Sequence, residues 1–220
     1  MDMEPSTSRA TPAATPATVE IDLPSLAWAD QYKILSSTVI PRPIALVSTA
    51  GPAGTNAAPF SFFNAVAFCP PMLMISIGSP AGGEGEKHTL TNLRANGECV
   101  VHIVDDANKE RMNRCAPEYP IGVNEIALAG FTTIASTMVQ PPRIAELPVQ
   151  YECRVHSIQP LGSPPCHLVL LEVVAAHIRR DAIDERHRID LLRLNPIGRL
   201  SSPGMYTRIT DNFRMDVPAI

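Results

Sequence analysis

Lys87 and Thr89 stand two residues apart where a helix is expected to begin. The first N–H groups of a helix have no partner within it and its dipole is positive there, so that end favours an anion. Lys87 adds a full charge, and the hydroxyls of Thr89 and Thr91 add donors, a set that suits phosphate. A Lys-x-Thr helix start taken alone is usually a solvated cap, so the reading needs neighbours. Two stretches offer them. Ser48 and Thr49 close the apolar run Ile44–Val47 with two hydroxyls. Pro59-Phe60-Ser61-Phe62-Phe63-Asn64 sets aromatic and proline residues beside hydroxyl and amide groups, as a planar ligand with a polar tail would require. Core packing is the plainer role for Phe60, Phe62 and Phe63.

Other chemistries lack their residues. No GxGxxG follows a strand, so a Rossmann dinucleotide site is not expected. The run Gly83-Glu84-Gly85-Glu86-Lys87-His88-Thr89 resembles a P-loop only superficially, because Glu86 replaces the glycine before the lysine and His88 separates Lys87 from Thr89. There is no GxSxG elbow. The histidines, His88, His102, His156, His167, His177 and His187, show no HxxxH spacing and no cysteine pairing, so each is assigned a surface or strand position and no metal site is expected.

The elements that must position these groups read mainly as strands. Ile44–Val47, ended by Ser48 and Thr49, Met72–Ile77, Glu98–Val104 and Phe131–Ile134 read as short strands, and Leu168–Ile178 as a long apolar one. From Val149 the alternation places Val149, Tyr151, Cys153 and Val155 on one face, with Gln150, Glu152, Arg154 and His156 on the other. Helices are expected from Thr89, as N-cap, to Gly97, from Asp106 or Asn108 to Cys115, and at 124–129. Trp28 is expected as a packing anchor for an N-terminal segment that also offers Leu26, Tyr32 and Ile34. The whole reads as an antiparallel meander that closes most easily as a barrel.

The 220 residues are 45% apolar and 18% charged, which suits a soluble globular domain with a sizeable core. Residues 1–20, rich in Ser, Thr, Ala and Pro, are expected to form a disordered tail before a domain over 21–220. A net charge of −4 and 5% aromatics argue against nucleic-acid binding. Five scattered cysteines without a CxxC predict reduced thiols and a cytoplasmic setting. No signal peptide, transit peptide or membrane span is expected.

The pattern becomes specific over residues 25 to 215. Tyr32-Lys33-Ile34-Leu35, Ile40-Pro41-Arg42-Pro43-Ile44-Ala45, Ala58-Pro59-Phe60-Ser61-Phe62-Phe63-Asn64 and Lys87-His88-Thr89-Leu90-Thr91-Asn92 resemble the flavin reductase-like family, a set of FMN-binding split barrels. Asn124-Glu125, Pro141-Pro142-Arg143-Ile144 and Pro196-Ile197-Gly198-Arg199 extend the likeness. Family members often carry Asp where His88 and Cys69 stand. The resemblance implies a mainly β, antiparallel, Greek-key-like split barrel of six strands that forms a homodimer, with FMN near the interface. It implies phosphate contacts from Ser48, Thr49, Lys87 and Thr89, with His88 counted among the cofactor-binding residues. It sets the isoalloxazine ring along the backbone of Pro59, Phe60, Ser61 and Phe62, with Arg42 close by. The implied activity is NAD(P)H:flavin reduction, in which transiently bound NADH or NADPH passes hydride to flavin N5 without an obligate catalytic side chain. Reduced flavin would then serve a partner monooxygenase. Two alternatives stand beside it: a tightly FMN-bound electron carrier or dedicated substrate reductase, and a barrel that binds without catalysis.

Overall fold

A computed structural model of the protein describes residues 17–80, 85–163, 165–201 and 203–218. Most of the expected tail lies outside the described residues; residues 17–20 are exposed and carry no helix or strand. The expected loop at 78–85 and the turn at 162–165 are each described only in part.

Twelve strands are described: β1 (Arg42–Pro43), β2 (Ala45–Thr49), β3 (Asn56–Phe60), β4 (Phe63–Phe68), β5 (Pro71–Ile77), β6 (Glu98–Ile103), β7 (Thr133–Ile134), β8 (Arg143–Ile144), β9 (Val149–Leu161), β10 (Cys166–Ile178), β11 (Ile197–Ser201) and β12 (Met205–Arg208). Five α-helices join them: α1 (Trp28–Thr38), α2 (His88–Asn96), α3 (Lys109–Arg114), α4 (Glu125–Leu128) and α5 (Leu191–Leu194).

The main sheet is antiparallel and has seven strands, in the order β3-β2-β6-β9-β10-β5-β4, one more than the six the resemblance implies. Its two edge strands, β3 and β4, are separated in the chain only by Ser61 and Phe62. Edges that far apart in the strand order can be joined by two residues only if the sheet curls on itself. The Ser76 N–H donates to the Phe62 carbonyl at 2.8 Å and ties that corner to β5. Curling is helped by β9 and β10, thirteen residues each, whose pairing carries register shifts at Leu170/Leu171 and Val173/Ala175. Bulges of this kind bend long strands and increase their twist.

Two apolar cores result. One fills the inside of the curled sheet with Val47, Ile75, Ile77, Val101 and Leu171, against Leu90 and Leu93 of α2. The other lies outside β2 and β6 and joins Ile44, Leu46, Val104, Met112, Ile126 and Ile144. β2 is buried along its whole length because it has a core on each face. That is why it reads as an unbroken apolar run instead of an alternating one.

Two expectations are corrected, for Trp28 and Thr89, and one strand proves to be covered on both faces. Residues 28–38 form a helix that the strand-centred reading had not assigned, and Trp28 is 71% exposed on it, so it anchors nothing within this chain. The polar face of β9 is not solvent-facing at its start: Gln150 is 7% exposed and Glu152 is fully buried, because residues 134–147 cover that face and their backbone needs acceptors. Thr89 is not the N-cap of α2; Lys87 occupies that position and Thr89 sits inside the first turn, buried.

His102, on β6, is fully buried between the layers. Its Nε2 accepts from the Ile144 N–H at 2.9 Å, which leaves Nδ1 to donate to the Leu46 carbonyl at 2.9 Å. Burial depresses its pKa from 6.5 to about 4, against the pull of the Leu46 carbonyl. Between those values the unfolded chain binds a proton that the folded one does not. Stability is therefore expected to rise as pH increases from about 4 to 6.5 and to be lost as pH is lowered through this window, at roughly 1.4 kcal/mol per unit. A His102→Gln variant should lose this share of the slope in urea titrations; an identical slope in both proteins would refute the assignment.

Candidate functional site

The site grows from the start of α2. Lys87 is extended (φ −63°, ψ 143°), makes no side-chain cap and gives way to the helix at His88. Thr91 and Leu90 return their N–H groups to the Lys87 carbonyl, so the N–H groups before them have no acceptor inside the helix. No acidic residue sits in the first turn to neutralise the dipole. At the far end Gly97 takes φ +68° and stops the helix, as its type predicts.

Side chains far apart in sequence hold this helix start in place. Asn92 Nδ2 donates to Thr49 Oγ1 at 2.9 Å and to the Gly54 carbonyl at 2.9 Å, while its Oδ1 accepts from the Ala53 N–H at 2.9 Å. A Cβ on Gly51 would meet Asn92 Oδ1 at 2.7 Å, so the β2–β3 turn can pass over α2 only with glycine there. The chain of donors then has one direction. Thr49, having accepted from Asn92, donates to Asn56 Oδ1; Asn56 Nδ2 donates to Thr89 Oγ1 at 3.2 Å. Thr89 Oγ1 has thus accepted a bond from Asn56 and keeps one proton to donate.

Thr89 faces a cleft of about 250 Å³, lined also by Asn56, Ala58, Lys87 and His88 and, on the opposite wall, by Cys115, Pro117, Glu118, Tyr119 and Glu125. Lys87 Nζ meets Glu118 Oε1 at 2.8 Å across it. Glu86, at the rim, is engaged by Arg94 at 3.1 Å. Glu125 is 4% exposed and opens α4, whose N-terminus is capped by the Asn124 side chain. Burial raises the Glu125 pKa, opposed by the Ala57 N–H that donates to Oε2 at 3.3 Å and by His88. Burial also pushes the Cys115 thiol up to about 12, so it offers no thiolate nucleophile. No cluster of His, Cys, Asp and Glu able to hold a metal exists among the described residues.

Of the residues singled out in sequence, Lys87, His88 and Thr89 come together in this cleft. Thr49 stands behind it with its hydroxyl spent on Asn56. Ser48 is fully buried and donates to the Pro142 carbonyl at 2.6 Å. The Arg42 guanidinium lies over the Phe62 ring at 5.6 Å and donates to the Ser36 and Val39 carbonyls, closing the end of α1. Its Nε reaches Ser61 Oγ at 3.5 Å. Pro59 to Phe62 continue β3 beyond Ala58, with Phe60 turned into the core and Ser61 and Phe62 half-buried. Of this stretch Ala58 lines the cleft; β3 runs on to Phe60, and the chain then turns at Ser61 and Phe62 into β4. Asn56, Asn92, Glu118 and Glu125 were not given roles from sequence. The KHTLTN and APFSFFN segments carry or flank the first two, and the Asn124-Glu125 pair noted in the resemblance carries Glu125; Glu118 had no such signal.

A family model described as a flavin reductase like domain matches residues 36–206. The chain is 35% identical over 201 residues to an uncharacterized protein of Halalkalibacterium halodurans, across 89% of this chain and 95% of the relative. Among solved structures it is similar to nitrilotriacetate monooxygenase component B from Bacillus cereus, with a TM-score of 0.86, 33% identity and coverage of 91% of this chain and 100% of that one. It is also similar to the Pseudomonas fluorescens 2-nitrobenzoate 2-nitroreductase NbaA, at a TM-score of 0.82, 33% identity and coverage of 91% and 96%.

Proposed function

The chain belongs to the flavin reductase-like family of flavin-binding, split-barrel oxidoreductases, and on that premise we propose that it is an FMN-dependent NAD(P)H:flavin reductase. The observation that carries the reading is the cleft at the start of α2. Lys87, the first N–H groups of α2, which have no acceptor within the helix, and the Thr89 hydroxyl form a donor set that fits a phosphate. The backbone of Pro59 to Phe62 runs on from the cleft wall and offers an edge for a flat, partly apolar ring. Bound there, the flavin would supply the redox chemistry for oxidising NADH or NADPH, and Lys87, His88 and Thr89 would hold its phosphate while the Pro59–Phe62 backbone would meet its ring.

The chain's own residues bind and orient. Lys87, His88 and Thr89 hold the anionic end. Thr49, Asn56 and Asn92 fix the Thr89 rotamer from behind. Arg42 and Tyr32 brace Phe62, which stands 6.1 Å from Tyr32 between ring centroids. Ser48 ties β2 to the 134–147 segment through Pro142. No side chain needs to serve as general base.

A homodimer is part of the proposal. Trp28, Tyr32, Leu35 and Val39 repeat along one side of α1 and stay 43–71% exposed, and Phe68 on β4 is 95% exposed. An apolar stripe beside Phe62 is what a second copy would cover, closing over the ring side of the site. Similarity to a monooxygenase component supports delivery of reduced flavin to a partner monooxygenase. Five free thiols fit a cytoplasmic setting, and no helix among the described residues is long and apolar enough to cross a membrane.

Equal identity to a nitroreductase favours a second reading, in which FMN stays bound and a dedicated small molecule is reduced. One experiment separates them. Purified protein is mixed anaerobically with excess FMN, then with NADH or NADPH, and visible absorption is followed. Catalytic bleaching of the excess FMN supports the reductase. Reduction of one bound equivalent, with turnover only on adding a nitroaromatic, supports the second. No flavin binding at all refutes both.

A further inference from the structure

We propose that Glu118 is a built-in competitor for the phosphate: its carboxylate holds Lys87 across the cleft and must be displaced before that lysine can serve an anionic ligand. The proposal rests on the cleft being the flavin phosphate site and adds what sets its affinity. Lys87 and Glu118 approach to 2.8 Å, with side chains 30% and 44% exposed, so the pair stands at the cleft mouth and can open into water. Glu118 does not arrive there by chance of a mobile tail. It lies between Pro117 and Pro120, and the neighbouring Tyr119 hydroxyl donates to the Arg114 carbonyl at 2.9 Å, which fastens this stretch to the end of α3.

The cleft's charge balance makes the contact matter. Its lining includes Glu86, Glu118 and Glu125 against Lys87, an arrangement that would repel phosphate if every carboxylate were free to act. Glu86 is turned to Arg94, and burial disfavours the charged form of Glu125. Glu118 is left as the acid that faces the lysine directly. A phosphate arriving at Lys87 either breaks this pair or sits beside a carboxylate, and both weaken its binding. A reductase that must release its flavin to another protein benefits from such a term, because the carboxylate re-forms its pair as the phosphate leaves.

The test is equilibrium binding, read by quenching of flavin fluorescence, with FMN and riboflavin as probes on the full chain. Glu118→Gln keeps the size and removes the charge. It is expected to bind FMN about 2–5-fold more tightly at low salt, the scale of an exposed ion pair, and riboflavin no differently. The gain should shrink as salt approaches ~1 M, where screening acts within about 3 Å. Unchanged or weaker FMN binding by Glu118→Gln, or an equal change for riboflavin, overturns the competitor role. If Lys87→Ala meanwhile weakens FMN but not riboflavin, the phosphate site stands and only Glu118's part in it falls. If Lys87→Ala leaves the preference for FMN over riboflavin intact, the site assignment falls, and the competitor with it.

Discussion

Lys87→Ala is expected to weaken FMN binding by about 1–3 kcal/mol, roughly 5–150-fold in Kd, while leaving riboflavin nearly unaffected. The ammonium is the one lysine charge in the cleft, and it stands where the N–H groups of α2 already point. A charge-assisted hydrogen bond to an anion lies at the strong end of the hydrogen-bond range. Because the lysine must leave Glu118 to serve the phosphate, part of the contact's strength is already spent, which keeps the expected loss within this range. The change leaves the fold intact, since the side chain is 30% exposed and supports no core residue. Thr89→Val should cost less, about 1 kcal/mol, through the lost hydroxyl donor and the Asn56 amide left without its acceptor. Equal FMN affinity in wild type and Lys87→Ala would reduce the helix start to a structural element.

Glu152→Leu is expected to destabilise the protein by about 3–5 kcal/mol, enough to remove much of an ordinary domain's stability. The carboxylate is fully buried on β9 yet well supplied with donors. Thr137 gives its N–H at 2.9 Å and its hydroxyl at 3.0 Å, Met138 and Val139 give their N–H groups, and His177 Nε2 approaches at 2.7 Å. Burial would raise its pKa, but these donors overcome that and bring it from 4.5 down to about 2. A carboxylate with a depressed pKa stabilises fully above its unfolded value and loses that contribution as pH falls from about 4.5 toward 2. At neutral pH the anchor is therefore at full strength. Leucine would leave three backbone N–H groups without acceptors and free the 134–147 segment that covers β6 and β9. Glu152→Gln, which keeps one acceptor oxygen, should lose less. Guanidinium unfolding midpoints measure both; a Glu152→Leu midpoint equal to wild type would show that the segment is held by other contacts.

Much of the scaffold was legible because it depends on neighbours along the chain. The run at β5, the strands β9 and β10 and the stop at Gly97 follow from period, length and residue type. The start of α2 was legible as a helix beginning for the same reason, though its cap was misassigned by two positions. The α1 helix was passed over because its apolar stripe faces outward, so the usual link between a helical period and a buried face does not hold within one chain. Glu152 was placed on the polar face of β9, and its burial there was not legible, because alternation records that the two faces differ and cannot say that both are covered.

The residue types and their order determined a β-rich chain, a donor-bearing helix start at Lys87-His88-Thr89 and a resemblance specific enough to name a family. Only the tertiary structure decided which of these groups pair. Asn56 meets Thr89 across 33 residues of sequence, Asn92 meets Thr49 across 43, and Glu118 meets Lys87 across 31. Hydrogen bonds and ion pairs act over a few ångströms in space and are indifferent to separation along the chain. The bond that Asn56 gives to Thr89 and the pairing of Lys87 therefore exist only once the curled sheet has brought those segments together.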